Sequence, residues 1–120
     1  MSKGWIGVDL DGTLARYDGW KGPQHIGEPI PAMLNRVKRW LSEGKDVRIF
    51  TARVCSNNPF KLTAIKAIEE WCKQHIGVIL LITAEKDSNM IELWDDRCIQ
   101  VIPNTSARVD GSDTWEGGVI

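Results

Sequence analysis

At 120 residues the chain is one domain's worth, long enough to bury roughly 65% of its unfolded surface around a single core. Fifteen Lys and Arg balance sixteen Asp and Glu, so no whole-molecule field draws the chain to nucleic acid or to an anionic membrane, and any anionic ligand must be held by a local site. Cys55, Cys72 and Cys98 are odd in number, widely spaced and free of any CxxC pair, which argues against a disulfide framework and against structural zinc. A reducing cytoplasm is the expected compartment. No stretch approaches the length of a membrane span, and the N-terminus lacks a basic-then-apolar leader, so neither membrane insertion nor export through a cleavable signal is expected.

In chain order, 4–10 (GWIGVDL) is a short β-rich run that ends on Asp9 and Asp11 and breaks at Gly12 and Thr13. A loop over 15–28 follows. Ile30, Met33, Leu34, Val37, Trp40 and Leu41 then fall on one helical stripe, predicting a helix over 30–43 that Gly44 ends. A second β-rich run, 46–50 (DVRIF), stops at Thr51. The next helix is predicted from Pro59 after an Asn58 cap, its stripe being Ala64, Ile65, Ile68, Trp71, Cys72 and His75. Residues 77–83 (GVILLIT), 90–94 (MIELW) and 98–102 (CIQVI) read as further strands. From Pro103 onward the sequence turns polar and glycine-rich, and 103–120 is expected to be a tail packed on the same domain through Trp115.

Alternating strand and helix patterns make βαβ units. These imply an α/β fold with a mostly parallel central sheet covered on both faces, and in such sheets ligands sit beyond the carboxyl ends of the strands. Collected at those ends are Asp9 and Asp11, then Thr51 with Arg53, then Lys86, and finally Asp95 and Asp96. Two carboxylates at i and i+2 of an extended segment share a face, so a positive charge between them is required to keep both ionised. A hard divalent cation supplies it: Mg²⁺ takes oxygen ligands, accepts one or two carboxylates plus waters and commonly completes its shell with phosphate oxygens, and a third carboxylate from Asp95 or Asp96 would finish the protein's share. The set suits phosphoryl transfer, in which positioning and charge neutralisation do most of the catalysis. Gly12 would let the backbone approach the phosphate closely.

DLDGTL at 9–14, FTAR with Thr51, Lys86 and WDDR with Asp95 and Asp96 occur in the order of the motifs of the haloacid dehalogenase superfamily, which the chain resembles over about 4–102. The resemblance implies a Rossmann-like three-layer sandwich and Mg²⁺-dependent phosphomonoester hydrolysis through an aspartyl-phosphate. By it, Asp9 is the nucleophile, and Asp11 protonates the leaving oxygen and then activates water. Thr51 would bond the phosphoryl oxygens and Lys86 would offset their charge, while Gly12, Thr13, Ala52 and Arg53 line the phosphate. The metal would be held by the Asp9 carboxylate, the Asp11 backbone carbonyl and Asp95, with Asp96 acting through water or supporting Lys86. Only a turn and a short strand separate Lys86 from Asp95, less than relatives place there; Lys61 and Lys66 are the alternatives.

Other residues have plainer readings. Arg53 and Arg97 suit ion pairs with nearby carboxylates, although an arginine fork beside a phosphate also suits bidentate recognition. His25 reads as a turn residue and His75 as packed or capping. Most tryptophans fall on core stripes; Trp20, in the 15–28 loop, is placed to line an entrance. Neither interval flanking Thr51 is long enough for a cap domain, so the loop 15–28, a neighbouring subunit or a bulky substrate must cover the site. The expected substrate is a phosphorylated small molecule. WDDR also resembles the matching element of polynucleotide-kinase phosphatase domains, which makes a 3′-phosphatase of nucleic-acid ends the second reading; an inactive phosphate- or nucleotide-binding module is the third.

Overall fold

The computed structural model describes residues 4–112. Strand β1 (Trp5–Asp9) is followed by helix α1 (Pro31–Ser42), strand β2 (Asp46–Phe50), helix α2 (Lys61–His75) and strands β3 (Leu81–Thr83) and β4 (Met90–Trp94). All four strands are parallel, in the order β3-β2-β1-β4. The chain steps from β1 to β2 to β3 in one direction, then returns across the sheet to lay β4 on the far side of β1. The architecture is the expected α/β, Rossmann-like one, and neither interval between β1 and β3 holds an inserted domain.

Register explains the core. Ile6 pairs with Val47 and Val8 with Ile49, which makes one face of the sheet aliphatic. Met33, Val37 and Trp40 of α1 and Ile68, Trp71 and Cys72 of α2 join these four residues in a single cluster. Gly7 pairs with Arg48 on the other face, where the Arg48 guanidinium lies 4.6 Å above the Trp5 ring. The Trp5 indole Nε1 in turn donates to Asp87, tying the β3–β4 connection to the sheet. A Cβ at Gly7 would come within 2.9 Å of the Met90 side chain and 3.1 Å of Trp5, so glycine makes room for this cover.

Helix ends follow local chemistry. Lys45 N–H donates to Trp40 C=O and Gly44 N–H to Leu41 C=O, with Gly44 at φ +80°, which is the Schellman arrangement expected of that glycine. The second helix begins at Lys61 rather than Pro59. Its N-cap position is Phe60, without a side-chain cap bond, and not the expected Asn58, whose side chain instead accepts from Phe60 N–H at 2.9 Å in the turn ahead of the helix.

Two predicted strands differ. The 77–83 run contributes only Leu81–Thr83, because β3 is an edge strand and Val78 and Ile79 precede it with exposed side chains. Residues 98–102 form no strand of the sheet. They fold back on 107–109 through Ile102 N–H to Ala107 C=O and Val109 N–H to Gln100 C=O, leaving Ile99, Val101 and Ile102 exposed. A short apolar run carries no information about its partner, and here the partner is the chain just downstream. Trp115 and the end of the tail lie outside the described residues.

Candidate active site

Strand order builds the site. Because β4 lies beside β1, with Val8 opposite Trp94, the residues that follow both strands emerge at one edge: Asp9 from β1, Asp95 and Asp96 from β4. One carboxylate oxygen from each of the three lies within 4.8 Å of the others. The next strand, β2, delivers Thr51 to the same edge. Its hydroxyl accepts from Arg53 N–H at 3.2 Å, opening a 3₁₀ turn over Ala52–Val54.

Each acid is oriented by a neighbour. Thr13 Oγ1 lies 3.3 Å from Asp9 Oδ2 and 3.4 Å from Asp96 Oδ1, bridging the two strand ends. Arg97 N–H donates to Asp95 Oδ1 at 2.7 Å. Gly12, at φ +91°, makes the turn that brings Asp96 in. A Cβ there would lie 2.6 Å from Asp96 Oδ2, so glycine is required both by the backbone and by the acid beside it.

Crowding by two further carboxylates makes Asp9 hold on to its proton. Burial, a hydrogen bond shared with Asp96 and the charges of Asp95 and Asp96 together push Asp9 from the ordinary 3.8 up to about 7, with Thr13 opposing. Such an all-oxygen, acid-rich donor set fits a hard divalent cation.

Asp11 faces elsewhere. Its carboxylate takes a two-pronged contact from Arg53, Nε to Oδ2 at 2.8 Å and Nη2 to Oδ1 at 2.9 Å. Arg53 is buried, reaches Pro23 C=O through Nη1 at 3.4 Å and lies 4.9 Å from the centre of the Trp20 ring. It thus fastens the loop 15–28 to the strand ends. That loop is closed at its base by Arg16 N–H to Glu28 C=O, and Trp71 Nε1 donates to Gly27 C=O, holding it against α2.

A cavity of about 480 Å³ lies over the acids, within the ~300–1,000 Å³ usual for small-molecule sites. Asp9, Asp11, Thr51, Ala52, Arg53, Asp95 and Asp96 line it, as do the aromatic residues Tyr17, Trp20 and Phe50. Gly12 and Thr13 sit beneath, against Asp96 and Asp9. Lys86 is not brought to this cavity: it is exposed on the β3–β4 connection, where it acts on the Cys98 thiol, offsetting the upward push of burial and of Asp95. Neither alternative lysine reaches it, since Lys61 lines a cavity beside Cys55 and Thr83 and Lys66 lines another beside Trp71. The cations lining the acid cavity are Arg53 and Arg97. Sequence reasoning overlooked Tyr17 and Phe50 as lining residues. Phe50 was readable in principle, as the last residue of β2, while Tyr17 depends on how the loop folds back.

No family model matches the chain, and no curated protein matches it. Among solved structures, a conserved protein from Bacteroides thetaiotaomicron is similar at a TM-score of 0.55 and 24% identity, over 83% of this chain and 81% of that one. At this level the similarity is one of fold: the chain shares a Rossmann-like α/β architecture with that protein.

Proposed function

We propose that the protein is a capless Mg²⁺-dependent phosphomonoester hydrolase of the haloacid dehalogenase type. The observation that carries this reading is the meeting of Asp9, Asp95 and Asp96 within 4.8 Å at the tips of adjacent strands, beside a buried Thr51. These three carboxylates would hold the cation, which supplies charge neutralisation at the phosphoryl oxygens.

The remaining chemistry belongs to the chain. An Asp9 carboxylate oxygen attacks phosphorus, the bond from phosphorus to the ester oxygen breaks, and Asp11, which has to leave the Arg53 fork and carry a proton for this step, gives that oxygen its proton. Water then attacks the phosphoaspartate, Asp11 takes a proton from the water, and the bond between phosphorus and Asp9 breaks to release inorganic phosphate. Thr51 donates its hydroxyl to a phosphoryl oxygen. Arg97, which lines the cavity as Lys86 does not, takes the charge-offsetting role, and Arg53 orients Asp11.

A second reading, a 3′-phosphatase of nucleic-acid ends, is favoured by the openness of a site with no cap, while the balanced charge of the chain weighs against it. The three cysteines are free, which suits the cytoplasm, and among the described residues no helix is long and apolar enough to cross a membrane. The test is hydrolysis of an aryl phosphate with Mg²⁺. Wild-type protein should turn it over and Asp9→Asn should not; no turnover by wild type, or equal turnover by Asp9→Asn, overturns the proposal.

A further inference from the structure

Above the acids, the cavity is walled by rings. Tyr17 and Trp20 come from the loop 15–28 and Phe50 from the end of β2. Trp20 keeps 56% of its surface exposed and Tyr17 41%, although both line a cavity whose floor is charged. One contact of Trp20 is already assigned, since the Arg53 guanidinium sits 4.9 Å from its ring centre. That contact fixes the indole in place while most of its surface stays open. A ring held in place by a cation, with most of its surface open toward the cavity it lines, is a prepared stacking platform.

Resting on the hydrolase reading, we propose that the substrate is a nucleoside monophosphate, its phosphate at the Asp9–Asp95–Asp96 edge and its base stacked against Trp20 and Tyr17. The same walls suit the shared chemistry of any flat ring joined to a phosphate, and a free nucleotide is the form that a cavity of about 480 Å³ takes whole. A sugar or glycerol phosphate would satisfy the acids and leave the rings uncovered. Specificity then lives on the loop, and Arg53 joins the two functions by touching both Asp11 and Trp20.

The test compares kcat/KM for adenosine monophosphate with kcat/KM for glycerol phosphate, and asks how that ratio changes in variants. Wild type should favour the nucleotide, Trp20→Ala should cut the ratio by about 10-fold or more, and Trp20→Phe should restore most of it. Tyr17→Ala should lower it by a smaller factor. If Trp20 matters only by supporting Arg53, both substrates fall together and the ratio stays put, which overturns the proposal. Binding separates this inference from the hydrolase reading: quenching of tryptophan fluorescence by adenosine monophosphate in Asp9→Asn, lost in Asp9→Asn/Trp20→Ala, supports nucleotide recognition even where no phosphate is released. Hydrolysis of both substrates at equal efficiency by wild type overturns nucleotide recognition and leaves the hydrolase standing.

Discussion

Arg53 grips both oxygens of Asp11, at 2.8 and 2.9 Å, and so couples the tip of β1 to the turn after β2 across 42 residues of sequence. The arginine is nearly inaccessible, with 6% of its side chain exposed against 22% for Asp11. Removing it strands a largely buried carboxylate and releases Pro23 and Trp20 of the loop. Arg53→Ala should therefore cost about 2–3 kcal/mol in denaturant unfolding. Arg53→Lys should recover little, because an ammonium cannot reproduce the fork. Phosphate release should fall through kcat more than through KM, since Asp11 is the group left unplaced.

Gly12 is predicted to be irreplaceable for two separable reasons. Its φ of +91° disfavours any side chain by about 1–2 kcal/mol, and a Cβ would push Asp96 away from Asp9 and Asp95. Thermal melting of Gly12→Ala should show the first effect. Calorimetric titration with Mg²⁺ should show the second, as an affinity loss of about 10-fold or more.

The pH dependence follows from Asp9. With its folded value up at about 7 against an ordinary 3.8, the folded protein keeps a proton that the unfolded chain has already released. Stability from this source is complete below about 3.8 and is lost as pH rises through about 7. A divalent cation takes the proton's place, so its affinity rises with pH across the same window and levels off above it. Melting temperatures with and without Mg²⁺ should diverge as pH is raised from about 5 to about 8. A gap that does not change with pH would count against a cation at Asp9.

Gly27 is a point of close backbone approach at the base of the loop. Any side chain there would collide with the Arg16 carbonyl, next to the Arg16–Glu28 hydrogen bond, and would disturb the bond from Trp71 Nε1 to Gly27 C=O. Gly27→Ala should open the loop to limited proteolysis within 15–28 while leaving the sheet intact by circular dichroism, and should depress activity.

Much of this geometry was readable beforehand because it depends on strand ends. Asp9, Asp11, Thr51, Asp95 and Asp96 each stand at the carboxyl end of a β-rich run or just beyond it, and a parallel sheet opens all such ends on one edge. Gly12 was readable from the turn it must make. Long-range partnership was not. Arg53 suited both an ion pair and a phosphate contact, and only the fold shows its guanidinium on Asp11 and under Trp20. Lys86 was chosen by its order in the chain, but the short β3–β4 connection leaves it exposed and off the cavity. The run 98–102 failed as a strand of the sheet because its apolar pattern specified extended backbone but not a partner, and the partner it takes is 107–109.

In the proposed reaction a carboxylate oxygen of Asp9 is the atom that receives phosphorus. Asp11→Asn removes both the acid for the leaving oxygen and the group that activates water, so with an aryl phosphate, whose leaving group departs without a proton, the first step proceeds and the phosphorylated protein should accumulate. Acid quenching after incubation with Mg²⁺ and a radiolabelled aryl phosphate should recover label on the Asp9 peptide of Asp11→Asn, and none on Asp9→Asn. Label that appears on another residue, or phosphate released by Asp9→Asn at the wild-type rate, would contradict it.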